Sequence, residues 1–400
     1  MTASDAQSDP LPAPGVTAAD PSVNGWNAQW VDDLYRQWAQ VPEAVPESWQ
    51  RFFEGFELGT GSASDHTHCG DPKQAGVTRL IERYRRWGHE AARIDPLNRR
   101  MRHSEMLTLE SVGLSEADLD CQYQTSDLDM KSPATLRAII ERLDTAWCGT
   151  IGVEFSHLRC SDRRGWWRDA MESMPPHGGL DNDTRLRVLR DLEEASGLER
   201  FLSRRYVGSK WFSLAGGEVL IPMLQHLVQR AAEDGVEEVA FGMAHRGRIN
   251  VLVNILQKSY GQLFTEFEES WTEDFLDSGG DVKYHRGYST DITADCGRAV
   301  HLTMASNPSH LEWGHPVVLG RLRAKQRLRG DTTRRRSVPV LVHGDAALPG
   351  QGIVQELCNA SALEAYNVGG SIHIVINNQI GFTAEPHDCF AGPYCTDVLR

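Results

Sequence analysis

Two apolar runs end abruptly on groups suited to a hard cation. VPVLV (residues 338–342) runs into His343-Gly344-Asp345, and SIHIVI (residues 371–376) runs into Asn377-Asn378. A carboxylate and a carboxamide are hard oxygen donors. Mg2+ takes six such donors and commonly shares them with the phosphates of a ligand. Gly344 lets an anion approach the backbone closely. Asp345 and Asn378 stand 33 positions apart, the reach of one strand–helix–strand unit of about 30 residues.

Two further runs end in the same way. VEEVAFGM meets Ala244-His245-Arg246-Gly247-Arg248, and RAVHLTMA meets Ser306-Asn307-Pro308-Ser309-His310. Arg246 falls where a strand gives way to a helix, a natural anion site. Taken singly, each cluster has a plain structural alternative. Gly-Asp and Asn-Asn also make ordinary turns. His245, His285 and His310 could each be a satisfied structural histidine, and Arg246 and Arg248 surface charges. Taken jointly, polar groups at four successive strand ends describe a seat for a Mg2+–diphosphate.

Such a seat needs strands whose ends meet. Helical patterns stand between the apolar runs: EVLIPMLQHLVQRAAED before the first, INVLVNIL after it, PVVLGRLRAKQRL after the second. IVQELCNASALEAY links the third and fourth, with Gly369-Gly370 read as the helix C-cap. Strands alternating with helices predict βαβ units and a parallel sheet over residues 201–400. Ligands of such sheets bind outside the carboxyl ends of the strands.

Upstream, residues 1–23 are rich in Ala, Pro, Ser and Asp and are expected to be disordered. Trp30, Leu34 and Trp38, then Trp49, Phe52, Phe53 and Phe56, recur at helical spacing around Pro42 and Pro46. This predicts a helical hairpin over 24–57. Residues 58–75 read as a Gly/Ser/Asp-rich linker. Residues 76–200 read as a mostly helical scaffold, with loops at IDPLN and near MPPHGG.

Composition narrows the function. A net charge of −14 argues against a general nucleic-acid binder. The eight cysteines form no CxxC pair and are expected to be reduced intracellular thiols. No apolar run is long enough to span a membrane. No signal or transit peptide is read at the start. The expected compartment is therefore the cytoplasm of a bacterium, or otherwise the mitochondrial matrix of a eukaryote.

Longer blocks are more specific. MAHRGRINVLVNIL, GDVKYH, SNPSHLE, HGDAA, GGSIHIVINNQIGFT and PYCTD together resemble the E1 component of the 2-oxoglutarate dehydrogenase complex. RYRRWGHEAARIDPL, CGTIGVEFSHL and WVDDLYRQWAQVPEAVPESWQRFF agree with it. The resemblance extends from about Gly25 to Arg400. It implies an α/β fold with an amino-terminal helical region and a thiamine diphosphate-binding domain of the PP type. It also implies thiamine diphosphate and Mg2+ as cofactors. Asp345, Asn378 and the carbonyl of Ile380 would hold the metal. Ala346, Ala347 and Leu311 would line the cofactor. Arg246, His285 and Ser309 would face substrate carboxylates and the diphosphate. His245 and His310 would complete the polar, proton-handling wall.

The implied reaction is oxidative decarboxylation of 2-oxoglutarate, with transfer of the succinyl group to the lipoyl arm of a dihydrolipoyl succinyltransferase (E2) and onward exchange with E3. The hairpin over 24–57 would dock E2, and the enzyme would be a homodimer. Two alternatives stay open: the same chemistry on 2-oxoadipate, and a non-catalytic E2-binding fragment. The second arises because family members are longer. The rest of the sheet and the pyrimidine-binding domain are expected to lie beyond these residues. Two positions depart from the family pattern. Ala215 replaces an acidic residue. Arg286 replaces an apolar one beside His285, where an added cation would alter carboxylate binding.

Overall fold

The computed structural model describes residues 28–61, 72–97, 104–268, 283–381 and 383–399. They fall into two compact units. One comprises residues 1–80, 109–126 and 132–136; the other comprises residues 81–108, 127–131 and 137–400.

The first unit opens with α1 (Ala28–Gln40) and α2 (Glu47–Gly61). Pro42 starts a single 3-10 turn between them, and the Pro46 carbonyl accepts the first amides of α2, those of Trp49 and Gln50. The hairpin makes its own core. Val31, Val45, Trp49 and Phe53 are buried, with Leu34, Tyr35, Trp38 and Phe52 packed against them. The rings of Tyr35, Trp38 and Trp49 all lie 5.3–5.6 Å from that of Phe53. The next helix, α3 (Pro72–Ala91), begins inside the span expected to be linker, and α2 reaches Gly61. Residues 62–71 and the amino-terminal tail lie outside the described residues. A two-residue antiparallel pair, β1 (Gln122–Tyr123) and β2 (Ala134–Thr135), completes this unit.

The helical expectation for 76–200 holds in three later helices: α4 (Leu136–Trp147), α5 (Ser161–Ser173) and α6 (Asn182–Arg205). Between residues 104 and 135, however, the chain runs through short 3-10 turns and the β1–β2 pair. In the second unit, buried Arg85 clamps Glu172 with two hydrogen bonds of 2.7 and 3.0 Å and reaches Asp127 at 2.8 Å.

The second unit then forms a five-stranded sheet. Its strands are β3 (Glu238–Met243), β4 (Tyr288–Thr293), β5 (Ala299–Met304), β6 (Ser337–Gly344) and β7 (Ile372–Ile376), in the order β4-β5-β3-β6-β7. β5, β3, β6 and β7 are mutually parallel, as expected from the sequence. β4 is antiparallel to β5 at one edge.

Helices cover both faces. α7 (Leu220–Glu233) and α8 (Arg248–Asn254) place Leu220, Leu224, Val228, Val251 and Leu252 on the side of Val239, Phe241, Met243, Val340 and Val342. On the other face, α10 (Gly314–Leu328) lays Val318 and Leu322 on Ala240 and Leu341. That face comes close at Gly242. A Cβ there would lie 2.7 Å from His315 Nδ1 and 2.9 Å from Leu341 Cδ2. α9 (Tyr260–Phe267) packs with α6 and α8 around Leu202, Ile249, Leu263 and Phe267.

Between β6 and β7 run α11 (Ala347–Gly350) and α12 (Ile353–Ser361). The C-cap of α12 is Ala362, not the glycine pair. Gly369 and Gly370 instead lead into β7 with φ of +94° and +127°. A side chain at Gly369 would meet the Arg334 carbonyl at 2.8 Å. The glycines therefore serve the strand's entry.

Candidate active site

All four polar clusters follow parallel strands, so they emerge at one edge of the sheet. The chain leaves β3 toward β5 and leaves β6 toward β7. The adjacent ends of β3 and β6 thus flank the point where connections diverge, the place where such sheets form a ligand crevice.

At the end of β3, the half-buried His245 packs its ring 3.9 Å from that of Phe212. Burial, then the charges of Arg246, His285 and Lys210, push its pKa down to about 4. It is a neutral imidazole at neutral pH, set among cationic groups. Arg246 donates to the Ser213 carbonyl at 3.0 Å. Arg248, for which a surface charge was the plain alternative, has no exposed surface at all. It donates to the carbonyls of Met243 (2.9 Å), Arg286 (3.0 and 2.8 Å) and Ala305. One guanidinium therefore ties the ends of β3 and β5 to the loop bearing His285.

That loop is anchored from below. Tyr284 is buried in the α6–α8–α9 cluster and meets Phe212 edge-on at 5.1 Å. The carbonyl of His285 accepts the Asn307 amide at 2.8 Å. This fastens the start of the Ser306–His310 segment beside His285. Arg286 turns toward Glu266 (3.7 Å), which also pairs with Lys258 at 2.5 Å. It therefore shares a single carboxylate with Lys258. Ala215 lies exposed in a turn whose neighbour, Gly216, donates to Glu218 at 2.9 Å. Ser309 and His310 are exposed, and among the described residues neither makes a hydrogen bond to the other predicted site groups. Leu311 is half-buried next to them.

The β6–β7 ends form a second cluster. Asp345 is only 2% exposed. Its carboxylate faces the amides of Ala346, Asn378 and Gln379, yet burial outweighs them and raises its pKa. One oxygen, Oδ2, is buried without any partner. The opposing turn is built by its own amides. Asn377 Oδ1 accepts from Gln379 N–H at 3.2 Å, and Asn378 Oδ1 from Ile380 N–H at 3.0 Å. An amide oxygen engaged once keeps a second lone pair. Gln379 holds a positive φ of 58°, and its side chain donates to Asp95 at 3.3 Å. The Ile380 side chain is 58% exposed. Ala346 precedes α11, and buried Ala347 opens it. A Cβ at Gly344 would meet nothing within 4 Å of its own position, so the last strand residue before Asp345 borders open space.

A partnerless buried carboxylate oxygen costs free energy in an ordinary turn. Facing the Asn378 turn with its amide oxygens, it belongs to a hard donor set that fits a divalent cation. The sequence reading missed Cys395 here. It is buried, and burial first, then the Asp345 charge, push its thiol up to about 11. Its place in PYCTD was visible; its proximity to Asp345 was not.

Comparison with known families agrees with this architecture. A model described as "Dehydrogenase E1 component" matches residues 190–400, just over half of the chain. The chain belongs to the dehydrogenase E1 component family. A second model, "2-oxoglutarate dehydrogenase N-terminus", matches residues 20–60. The 2-oxoglutarate dehydrogenase E1 component of Azotobacter vinelandii is 40% identical over 94% of this chain and 43% of its own length. That of Coxiella burnetii is 39% identical over 94% and 42%. A mitochondrial 2-oxoglutarate dehydrogenase of Dictyostelium discoideum is 36% identical over 94% and 40%. This E1 chain thus spans about two fifths of the length of the curated relatives it matches. Among its described residues no helix is long and apolar enough to cross a membrane.

Proposed function

We propose that this chain is part of a thiamine diphosphate-dependent E1 component that decarboxylates 2-oxoglutarate and passes the succinyl group to the lipoyl arm of E2. The observation that carries the reading is the buried, partnerless oxygen of Asp345 facing the Asn378 turn. Asp345, Asn378 and the Ile380 carbonyl hold Mg2+, and Ala346, Ala347 and Leu311 line the cofactor. When bound, thiamine diphosphate supplies the electron sink that decarboxylation of a 2-oxo acid needs.

The protein's own groups bind and orient the dianionic substrate. Arg246 and His285 face its carboxylates, with Ser309 as a hydroxyl donor. His245 is neutral, so it donates a hydrogen bond to developing negative charge without itself attracting the ground-state carboxylate as a full cation. His310 stands on the exposed rim as a further proton-handling group. The α1–α2 hairpin docks E2 through its outer surface, since Trp49 and Phe53 are spent on its own core. Among the described residues of the hairpin, Trp30, 54% exposed, is the most exposed aromatic available to a partner. The working assembly is a homodimer within the complex.

Isothermal titration of thiamine diphosphate in the presence and absence of Mg2+ tests the reading. Metal-dependent binding is expected for the parent protein and its loss for Asp345→Ala. Unchanged binding by the variant would sink the site assignment. Turnover of 2-oxoglutarate against 2-oxoadipate then tests the substrate.

A further inference from the structure

Behind the sheet edge lies a buried polar cluster that none of the foregoing uses. We propose that Glu312, His315 and His343 form a binding site for a divalent transition ion of the zinc class. Glu312 precedes α10, and its φ of +72° is a conformation that residues with a Cβ seldom keep without a reason. The side chains of Glu312 and His343 are fully inaccessible and that of His315 is 2% exposed. His343 Nδ1 lies 2.5 Å from Glu312 Oε2, and His315 Nε2 lies 2.9 Å from the same oxygen. One donor atom from each of the three residues lies within 4.8 Å of the others.

Two observations point to an absent ligand. Glu312 Oε1 and His315 Nδ1 are buried with no hydrogen-bond partner. A carboxylate so enclosed needs a positive counterpart, and among the described residues its only charge partners are the two imidazoles. A metal ion would supply that charge and take Oε1 as a further donor. The fit requires little movement. Bonds of about 2.0–2.2 Å around a tetrahedral ion set donors about 3.3 Å apart, so each side chain would yield by well under about 1 Å. Two nitrogens and a carboxylate favour a transition ion over Mg2+.

The surroundings are those of a ligating histidine. With Nδ1 on the ion, His343 Nε2–H donates to His373 Nδ1 at 3.0 Å, and His373 Nε2–H donates to Ser371 Oγ at 2.8 Å. This chain fixes the ring and its tautomer, as partners outside the ligand set of metal histidines do. Gly242 leaves room for the His315 ring, since a Cβ there would press on it at 2.7 Å. His373 and Ser371 also line a cavity of about 960 Å³, so the outer end of this hydrogen-bonded chain borders open space.

The test is metal content and Co2+ substitution in the purified full chain after chelation. One tightly held Zn2+ or Co2+ per chain is expected, with visible Co2+ bands and an X-ray absorption shell of two imidazoles plus oxygen. Glu312→Gln and His315→Phe should each weaken binding at least tenfold, and His373→Phe roughly tenfold to a hundredfold. Asp345→Asn should leave it intact. A folded parent protein that takes up neither ion overturns the proposal, as does binding that survives Glu312→Gln. If that variant does not fold, the parent's absorption shell decides. A thiolate or oxygen-only shell would place the ion elsewhere and reject the site.

Discussion

Arg248 and Asp345 are charged side chains at adjacent strand ends, both sealed from solvent, and the fold treats them in opposite ways. Arg248 directs its donors at three backbone carbonyls. Asp345 retains an oxygen with nothing to bond. A buried charge with its hydrogen bonds made is a strut, because removing it strands its partners. A buried charge with one bond unmade stands in a binding seat, because a ligand can complete it. Arg248 thus holds loops in place at the β3 end, and Asp345 leaves an acceptor unmet at the β6 end.

The comparison can be broken by mutation. Arg248→Met should cost most. It strands the carbonyls of Met243, Arg286 and Ala305, each worth roughly 1–3 kcal/mol. A loss of at least about 3 kcal/mol in urea unfolding is expected; a loss below about 1 kcal/mol would show that water replaces the strut. Gly242→Ala should come next, at about 1–3 kcal/mol, because the added methyl overpacks His315 and Leu341. Its cost should fall if His315 is shortened to Ala in the same protein.

A pH series sharpens the contrast further. His245 titrates near 4 when folded and near 6.5 when unfolded. The depressed value means its contribution is present above pH 6.5 and is lost as pH falls toward 4. The slope is at most about 1.4 kcal/mol per pH unit, less for partial exposure. Comparing His245→Gln with the parent between those values isolates it; parallel curves would contradict the neutral imidazole. Asp345→Asn should have the smallest effect on stability, within about 1 kcal/mol and toward greater stability, since it relieves a desolvated carboxylate. The same change should abolish Mg2+-dependent binding. A large loss of stability there would make Asp345 a strut like Arg248.

Much of the sheet was legible. β3, β5 and β7 lie within three of the apolar runs and β6 contains the fourth, since strands covered on both faces read as continuous apolar segments. β4 was not, because YSTDIT at the antiparallel edge alternates exposed residues with half-buried or buried ones and contains few apolar ones. The hairpin's periodicity located α1 and α2. It could not say that Trp49 and Phe53 face each other, which turned an expected partner surface largely into core.

The sequence by itself determined the four parallel strands with the helices between them, the polar residues at each of their ends, and the family. These are local: periodicity, turn chemistry and motif spacing are written within a few residues of one another. Only the tertiary structure decided which charges are struts and which are seats. It set Arg248 against carbonyls as many as 57 positions away, and His343 between Glu312 and His373. A side chain's burial and partners depend on what the parallel sheet brings beside it, and neighbouring strands of that sheet are separated in sequence by whole crossovers.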